Sequence, residues 1–154
     1  MNLPFAQAAE QNKQVILQAI GPYLRGRVLE IGSGTGQHAV YFCSQLPDLL
    51  WQTSDLPSNL PGIQAWIDDS GLENLPAPLQ LDVSGTWPRQ LYDTIYTANS
   101  FHIMDAAAVA SCMAGCGACL RPGGHLVVYG PFNYGGAYTS DSNARFDAML
   151  RASD

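Results

Sequence analysis

The sequence predicts an α/β fold built on a mostly parallel sheet, and three observations predict it. Short apolar runs alternate with amphipathic helical stretches along the chain. A glycine-rich turn, Gly32-Ser33-Gly34-Thr35-Gly36, joins the first apolar run to the helical stretch after it. Polar residues then recur at the carboxyl ends of successive runs. The length of 154 residues suits one core, and no repeat, low-complexity run or linker divides it. Residues 1–154 are therefore read as a single domain.

Residues from about Ala6 to Leu24 read as an amphipathic helix, with Val15, Ile16, Ala19 and Ile20 at helical spacing and Gly21-Pro22 marking its end or a kink. The first strand is Arg27-Val28-Leu29-Glu30-Ile31. After the glycine turn a helix runs from about Gln37 to Gln45 and stops before Pro47. Leu50-Trp51-Gln52-Thr53-Ser54 is the second strand, closing on Asp55. A helix from about Leu60 to Ser70 places Ile63, Trp66 and Ile67 on one face and ends at Gly71. Pro78-Leu79-Gln80-Leu81 is a short third strand ending at Asp82, and Tyr92 to Ala98 is the fourth. An alanine- and cysteine-rich helix covers about Ala106 to Leu120. A tight turn, Arg121-Pro122-Gly123-Gly124, precedes the fifth strand, His125-Leu126-Val127-Val128-Tyr129. A polar, glycine-rich loop follows, and a helix is expected to begin near Asn143.

Composition narrows the function. Thirteen acidic and seven basic side chains leave a net charge of -6, so a basic footprint for a phosphate backbone is missing and nucleic acid is not expected as partner. The amino terminus has no basic region followed by an apolar run, and no stretch approaches the roughly 18 apolar residues of a membrane span. A cytoplasmic location is expected, and the four cysteines fit a reducing compartment.

The glycine turn is the strongest signal. Glycine permits the positive φ that a sharp strand-to-helix turn needs, and it lets backbone N–H groups approach a ligand closely. The dinucleotide fingerprint is G-x-G-x-x-G. Here the spacing is G-x-G-x-G, with Gln37 where the third glycine would stand. Glu30, two residues before the first glycine, suits a ligand with an ammonium group and would repel a pyrophosphate. S-adenosylmethionine (SAM) carries such an ammonium beside its sulfonium. Asp55, about twenty residues past the turn at a strand end, is placed to accept two ribose hydroxyls. Asp82, at the next strand end, is placed to accept from the adenine amino group. The expected cofactor contacts are thus Glu30, Gly32, Ser33, Gly34, Gly36, His38, Asp55 with its neighbour Leu56, Asp82 with its neighbour Val83, and Asn99.

Val28-Leu29-Glu30-Ile31-Gly32-Ser33-Gly34-Thr35-Gly36 resembles motif I of class I SAM-dependent methyltransferases, and Leu120-Arg121-Pro122-Gly123-Gly124 resembles their turn before strand five. An ordered set resembles one family more closely, that of methyltransferase-like protein 26. It comprises Ala8 to Lys13, Gly36 to Val40, Trp51 to Asp55, Leu81-Asp82-Val83, Ala98 to Ile103 and Tyr129 to Phe132. The resemblance implies a Rossmann-like three-layer α/β/α sandwich that binds SAM and yields S-adenosylhomocysteine (SAH), acting on a small molecule or a protein side chain not yet identified. It also implies a seven-stranded sheet ending in an antiparallel hairpin. Five strands are read here, so the hairpin is expected to be missing, the chain to be truncated, and the open edge to favour a homodimer.

Asn99, His102 and Tyr129 are the candidates for chemistry. Methyl transfer is an in-line displacement that needs positioning and, for some acceptors, removal of a proton. Asn99 ends strand four, facing the expected methyl position. His102 has an ordinary pKa near working pH and suits a general base. Tyr129, with Phe132 and Tyr134 after it, suits an aromatic pocket wall. His125, at the opposite end of strand five, reads as structural.

Cys112, Cys116 and Cys119 spell C-x3-C-x2-C, the spacing of a cluster-binding motif. They fall on one face of a helix, late in the chain, and read as small buried side chains packing on the sheet. No metal is expected. Two other readings stand beside the methyltransferase: a SAM-binding module without catalysis, and an NAD-dependent oxidoreductase, which Glu30 and the turn spacing disfavour.

Overall fold

A computed structural model describes residues 3–98, 105–130 and 146–151, the last stretch by its backbone. Helix α1 spans Gln7–Ile20, and Gly21–Tyr23 follows as a 3-10 turn because Pro22 cannot continue the α-helical ladder. Strand β1 is Arg27–Ile31 and helix α2 is Gln37–Gln45. The second strand breaks at Thr53 into β2, Leu50–Gln52, and β3, Ser54–Asp55. Helix α3, Leu60–Ser70, has a proline in its first turn and Gly71 at φ 67° as its stop. Strands β4, Leu79–Gln80, and β5, Tyr92–Ala98, come next. Helix α4, Ala106–Cys119, is capped by Asp105, whose carboxylate accepts the Ala108 N–H at 2.8 Å. Strands β6, Leu120–Tyr129, and β7, Phe146–Arg151, complete the described chain.

The main sheet has the order β2-β1-β5-β6-β7, with β3 and β4 pairing beyond the break at Thr53. The pairs β1–β2, β1–β5 and β5–β6 are parallel, as the alternating sequence pattern predicts. The chain builds outward from β1 to β4, then crosses back to lay β5 on the other side of β1. The carboxyl ends of β1 and β5 therefore flank the switch point where an open sheet places its ligand. This is the expected Rossmann-like α/β sandwich.

Two differences from the sequence reading concern β6 and the last segment. The glycine turn before strand five is absorbed into β6 as a bulge: the register passes from Tyr92↔Leu120 to Thr94↔His125. Gly124 sits at its throat, where a Cβ would come within 3.0 Å of Asp93 O. The helix expected from Asn143 is instead β7, antiparallel to β6 from His125↔Arg151 to Tyr129↔Phe146. The helical reading overlooked the alternation of Phe146, Ala148 and Leu150 with Asp147, Met149 and Arg151. It also assumed no partner, whereas the free edge of β6 offers a row of N–H and C=O groups to any strand that reaches it. An antiparallel edge strand is thus present where the hairpin was expected to be missing.

The sheet buries two apolar layers. Val28, Trp51, Tyr96, Val127 and Tyr129 face α1, α2 and α3, meeting Ile16, Ile20, Phe42, Ile63 and Ile67. Leu29, Ile31, Ile95, Leu126 and Val128 face α4 and its Cys112, Cys116 and Cys119. All three cysteines are buried, and a Cβ on Gly115 of the same helix would fall inside the Trp87 ring. The cysteine face is packing surface, as the sequence reading proposed. Cys43 is buried in the other layer, where burial pushes its thiol up to about 12.

Candidate cofactor-binding site

The glycine turn is held from beneath by β3. Ser33 N donates to Ser54 O at 2.9 Å, Ser54 N donates to Ser33 Oγ at 3.1 Å, and Ser54 Oγ donates to Glu30 O at 2.5 Å. Gly34 adopts φ 63° and Gly36 φ 94°, a region that L side chains enter only with strain. The two glycines serve different ends. A Cβ on Gly36 would press on Ile63 Cα at 3.3 Å and Trp66 Cβ at 3.4 Å, so this glycine lets α3 close on the turn. A Cβ on Gly34 would meet nothing within 4 Å, so the space above Gly34 is open.

Asp55 borders that open space. Its Oδ2 accepts the Gly34 N–H at 2.8 Å and its Oδ1 accepts the Leu56 N–H at 2.7 Å. The carboxylate is half-exposed, and Leu56 beside it is 48% exposed, an apolar face beside a polar group. Asp82 lies just past β4 on the exposed rim, its Oδ1 accepting the Ser84 N–H at 2.9 Å, and Val83 is half-buried next to it. Glycines 32 and 34 are exposed while Ser33 is buried, so the turn presents backbone to solvent and tucks its one side chain inward.

Glu30 lies deeper than its motif position suggested. It is 3% exposed, and its Oε1 accepts from Ser33 Oγ at 2.8 Å and from Trp51 Nε1 at 3.1 Å. Burial pushes its carboxyl up to about 7 against the opposing pull of those two hydrogen bonds, and the Asp55 charge adds to the rise. In register across the sheet from Glu30 stands Tyr96, whose hydroxyl is buried with no hydrogen-bond partner among the described residues. Thr53 Oγ1 is orphaned likewise. Trp51 is the residue that sequence reasoning missed. A tryptophan in a core strand brings an N–H that must find an acceptor, and a buried glutamate one strand over was the available one.

His38 is fastened to α1. Its Nε2 lies 3.1 Å from Ala9 O and 3.0 Å from Asn12 Oδ1, two acceptors that require the proton on that nitrogen. The ring stacks on Phe42 at 5.4 Å, and burial lowers its pKa. Tyr129 is 1% exposed at the end of β6, in register with Ala98. His125 meets Arg25 Nη2 at 3.3 Å at the far end of the same strand. Asn99 and His102 lie outside the described residues. The structure therefore gathers Glu30, Ser33, Gly34, Asp55, Leu56, Asp82 and Val83 at one edge, with Tyr129 at the end of a neighbouring strand and His38 fastened to α1.

The sheet order, the open glycine turn and the acids at successive strand ends invite comparison with known proteins. The sequence matches the family described as "Protein of unknown function (DUF938)" over residues 3–154. The chain belongs to that family. Its fold is similar to that of the SAM-dependent methyltransferase SibL in its apo form, with 21% identity, a TM-score of 0.74, and coverage of 82% of this chain and 37% of that one. An O-methyltransferase family protein from Burkholderia thailandensis is 17% identical, with a TM-score of 0.72 and coverage of 83% and 40%. The glycopeptide N-methyltransferase MtfA complexed with sinefungin is 17% identical, with a TM-score of 0.69 and coverage of 80% and 51%. This DUF938 chain thus spans 37% to 51% of the length of these three structures. Among its described residues, no helix is long and apolar enough to cross a membrane.

Proposed function

We propose that this edge of the sheet binds SAM and that the protein transfers its methyl group to a small molecule or a protein side chain. One observation carries the reading: the Asp55 carboxylate and the Gly34 backbone border the same open space at the switch point of a methyltransferase-like sheet. The residues fit the cofactor's parts. Asp55 has lone pairs left for two ribose hydroxyls. Leu56 and Val83 offer apolar faces to an adenine ring, and Asp82 an acceptor for its amino group. The exposed backbone of Gly32 and Gly34 admits the methionyl portion, and the buried Gly36 completes the turn beneath it. Glu30, behind Ser33, supplies negative charge toward an ammonium once it gives up the proton that burial favours. His38 holds α1 beside the turn. When bound, SAM supplies a methyl already activated by its sulfonium, so the protein's task is orientation and proton removal. Asn99 and His102 are the residues proposed for that task, and Tyr129, buried at the end of β6, backs the pocket wall. The finer resemblance to the methyltransferase-like protein 26 family belongs to the same proposal.

Calorimetric titration with SAH, beside NADH, tests the reading. Binding of SAH in the micromolar range with no NADH binding supports it. Binding of NADH instead would place the chain among oxidoreductases. SAH binding with no methyl consumed across a broad acceptor screen would make the domain a binding module.

A further inference from the structure

Gln37 stands where a dinucleotide-binding turn has its third glycine, and its side chain is 3% exposed. Its Oε1 accepts the Ala6 N–H at 2.6 Å and the Thr35 Oγ1–H at 2.9 Å, and its Nε2 donates to Ala6 O at 3.4 Å. One carboxamide therefore pairs with both backbone groups of a residue 31 positions earlier, while bonding to the glycine turn itself. The Gln37 N–H returns to Thr35 Oγ1 at 3.2 Å.

A second anchor lies beside the first. Trp66 Nε1 on α3 donates to Pro4 O at 2.6 Å. The Pro4 ring lies on Gly62, where a Cβ would come within 2.7 Å of Pro4 Cγ. Gly36 closes the circuit by its contact with Ile63 and Trp66 of the same helix. A ring of contacts thus runs from the turn through Gln37 to Ala6, along the chain to Pro4, through Trp66 to α3, and back to Gly36. Farther along, His38 holds Ala9 and Asn12, and Lys13 Nζ lies 4.8 Å from the Tyr41 ring centroid. Neither Ala6 nor Pro4 offers a side chain that could make these polar bonds, so the fastening is backbone-directed and depends on Gln37 and Trp66.

We infer that Gln37 is a positioning residue, a latch that fastens residues 4–6 and the start of α1 to the glycine turn and so controls how fast a bound cofactor leaves. The inference rests on the reading of that turn as the SAM site. The coupling is direct, because the carboxamide that holds Ala6 also fixes the hydroxyl of Thr35 inside the turn. Loss of either anchor releases the same strap. The two anchors therefore act as one device, and their effects on cofactor dissociation do not add.

The test uses the full chain and SAH as the probe. The dissociation rate of SAH is measured for the parent, Gln37→Ala, Trp66→Phe and the double variant, with Asp55→Ala as the comparison. Each latch variant raises the dissociation rate by about tenfold, the scale of one or two net hydrogen bonds. The double variant dissociates no faster than the quicker single one, whereas Asp55→Ala combined with Gln37→Ala multiplies the two effects. Hydrogen exchange without ligand gives the readout that general destabilisation would not mimic: amides of residues 6–10 exchange faster in both latch variants while those of β1, β5 and β6 do not. Tight SAH binding with an unchanged dissociation rate in Gln37→Ala overturns the latch and leaves the site standing, as do multiplicative effects of Gln37→Ala and Trp66→Phe. A parent chain that binds no SAH overturns the site, and the latch with it.

Discussion

The Gly34 N–H donates to Asp55 Oδ2 at 2.8 Å, tying the glycine turn after β1 to the end of β3. The bond sets the carboxylate over an exposed stretch of backbone, with open space above it. Asp55→Ala removes both this acceptor and the proposed partner of the ribose hydroxyls. SAH affinity falls about 10- to 100-fold, the scale of one or two hydrogen bonds to a charged group. Asp55→Asn, which keeps one acceptor, loses less. Calorimetry on both variants checks the order.

Gly34 and Gly36 should respond differently to a side chain. Gly34→Val meets no steric obstacle in the fold, so its folding cost is the backbone strain of φ 63°, about 1–3 kcal/mol, while SAH binding is lost because the branched side chain fills the open space. Gly36→Val pushes α3 off the turn and costs more, because Ile63 Cα is backbone and cannot yield. Thermal unfolding and SAH titration on the same samples separate the two effects. Equal losses of stability would contradict the assignment.

Glu30 makes stability depend on pH in the direction opposite to most carboxylates. Its folded value is pushed up to about 7 from an ordinary 4.5, so the folded chain holds a proton that the unfolded chain releases. The contribution is full below about pH 4.5 and is lost as pH rises through about 7, a change of roughly 3 kcal/mol at most. Glu30→Gln keeps an acceptor for Trp51 and Ser33 and flattens this part of the profile. Denaturant midpoints measured between about pH 4.5 and about pH 8 in parent and variant check it.

The four cysteines are all buried and free; burial raises Cys43 and Cys119, and the hydrogen bond with Cys112, with burial behind it, raises Cys116. A thiol reagent therefore reacts slowly with the native chain and with all four cysteines only after denaturation. Gly115→Val drives a side chain into Trp87 and destabilises the α4 layer by at least about 1–3 kcal/mol. Rapid labelling of Cys112, Cys116 and Cys119 in the native state would show that the cysteine face is not the packing surface described.

Local signals were legible before the structure. The apolar run of β1, the positive-φ glycines and the stop at Gly71 depend on residues within a few positions of one another. So did the common face of Cys112, Cys116 and Cys119. What was not legible depended on distant partners. Strand β7 forms because β6 offers it an edge, a partner that the alternation within Phe146–Arg151 does not by itself announce. Glu30 read as a ligand contact because an acid two residues before the first glycine suits an ammonium group. Its burial comes with a hydrogen bond from Trp51, 21 residues later. Gln37 read as a missing glycine, and its bonds to Ala6 span 31 residues. Asn99 and His102 lie outside the described residues, so the chemistry proposed for them rests on the sequence reading.

The most direct test of the central claim is the backbone amide resonance of Gly34 in isotopically labelled protein titrated with SAH. The account predicts that Gly34, Leu56 and Val83 shift together and saturate, and that Asp55→Ala weakens the response. The opposite end of the sheet carries a groove of about 430 Å³ lined by Arg27, Leu50, Gln52, Leu79 and Tyr92. Shifts confined to that groove, with Gly34 unmoved, would contradict the claim.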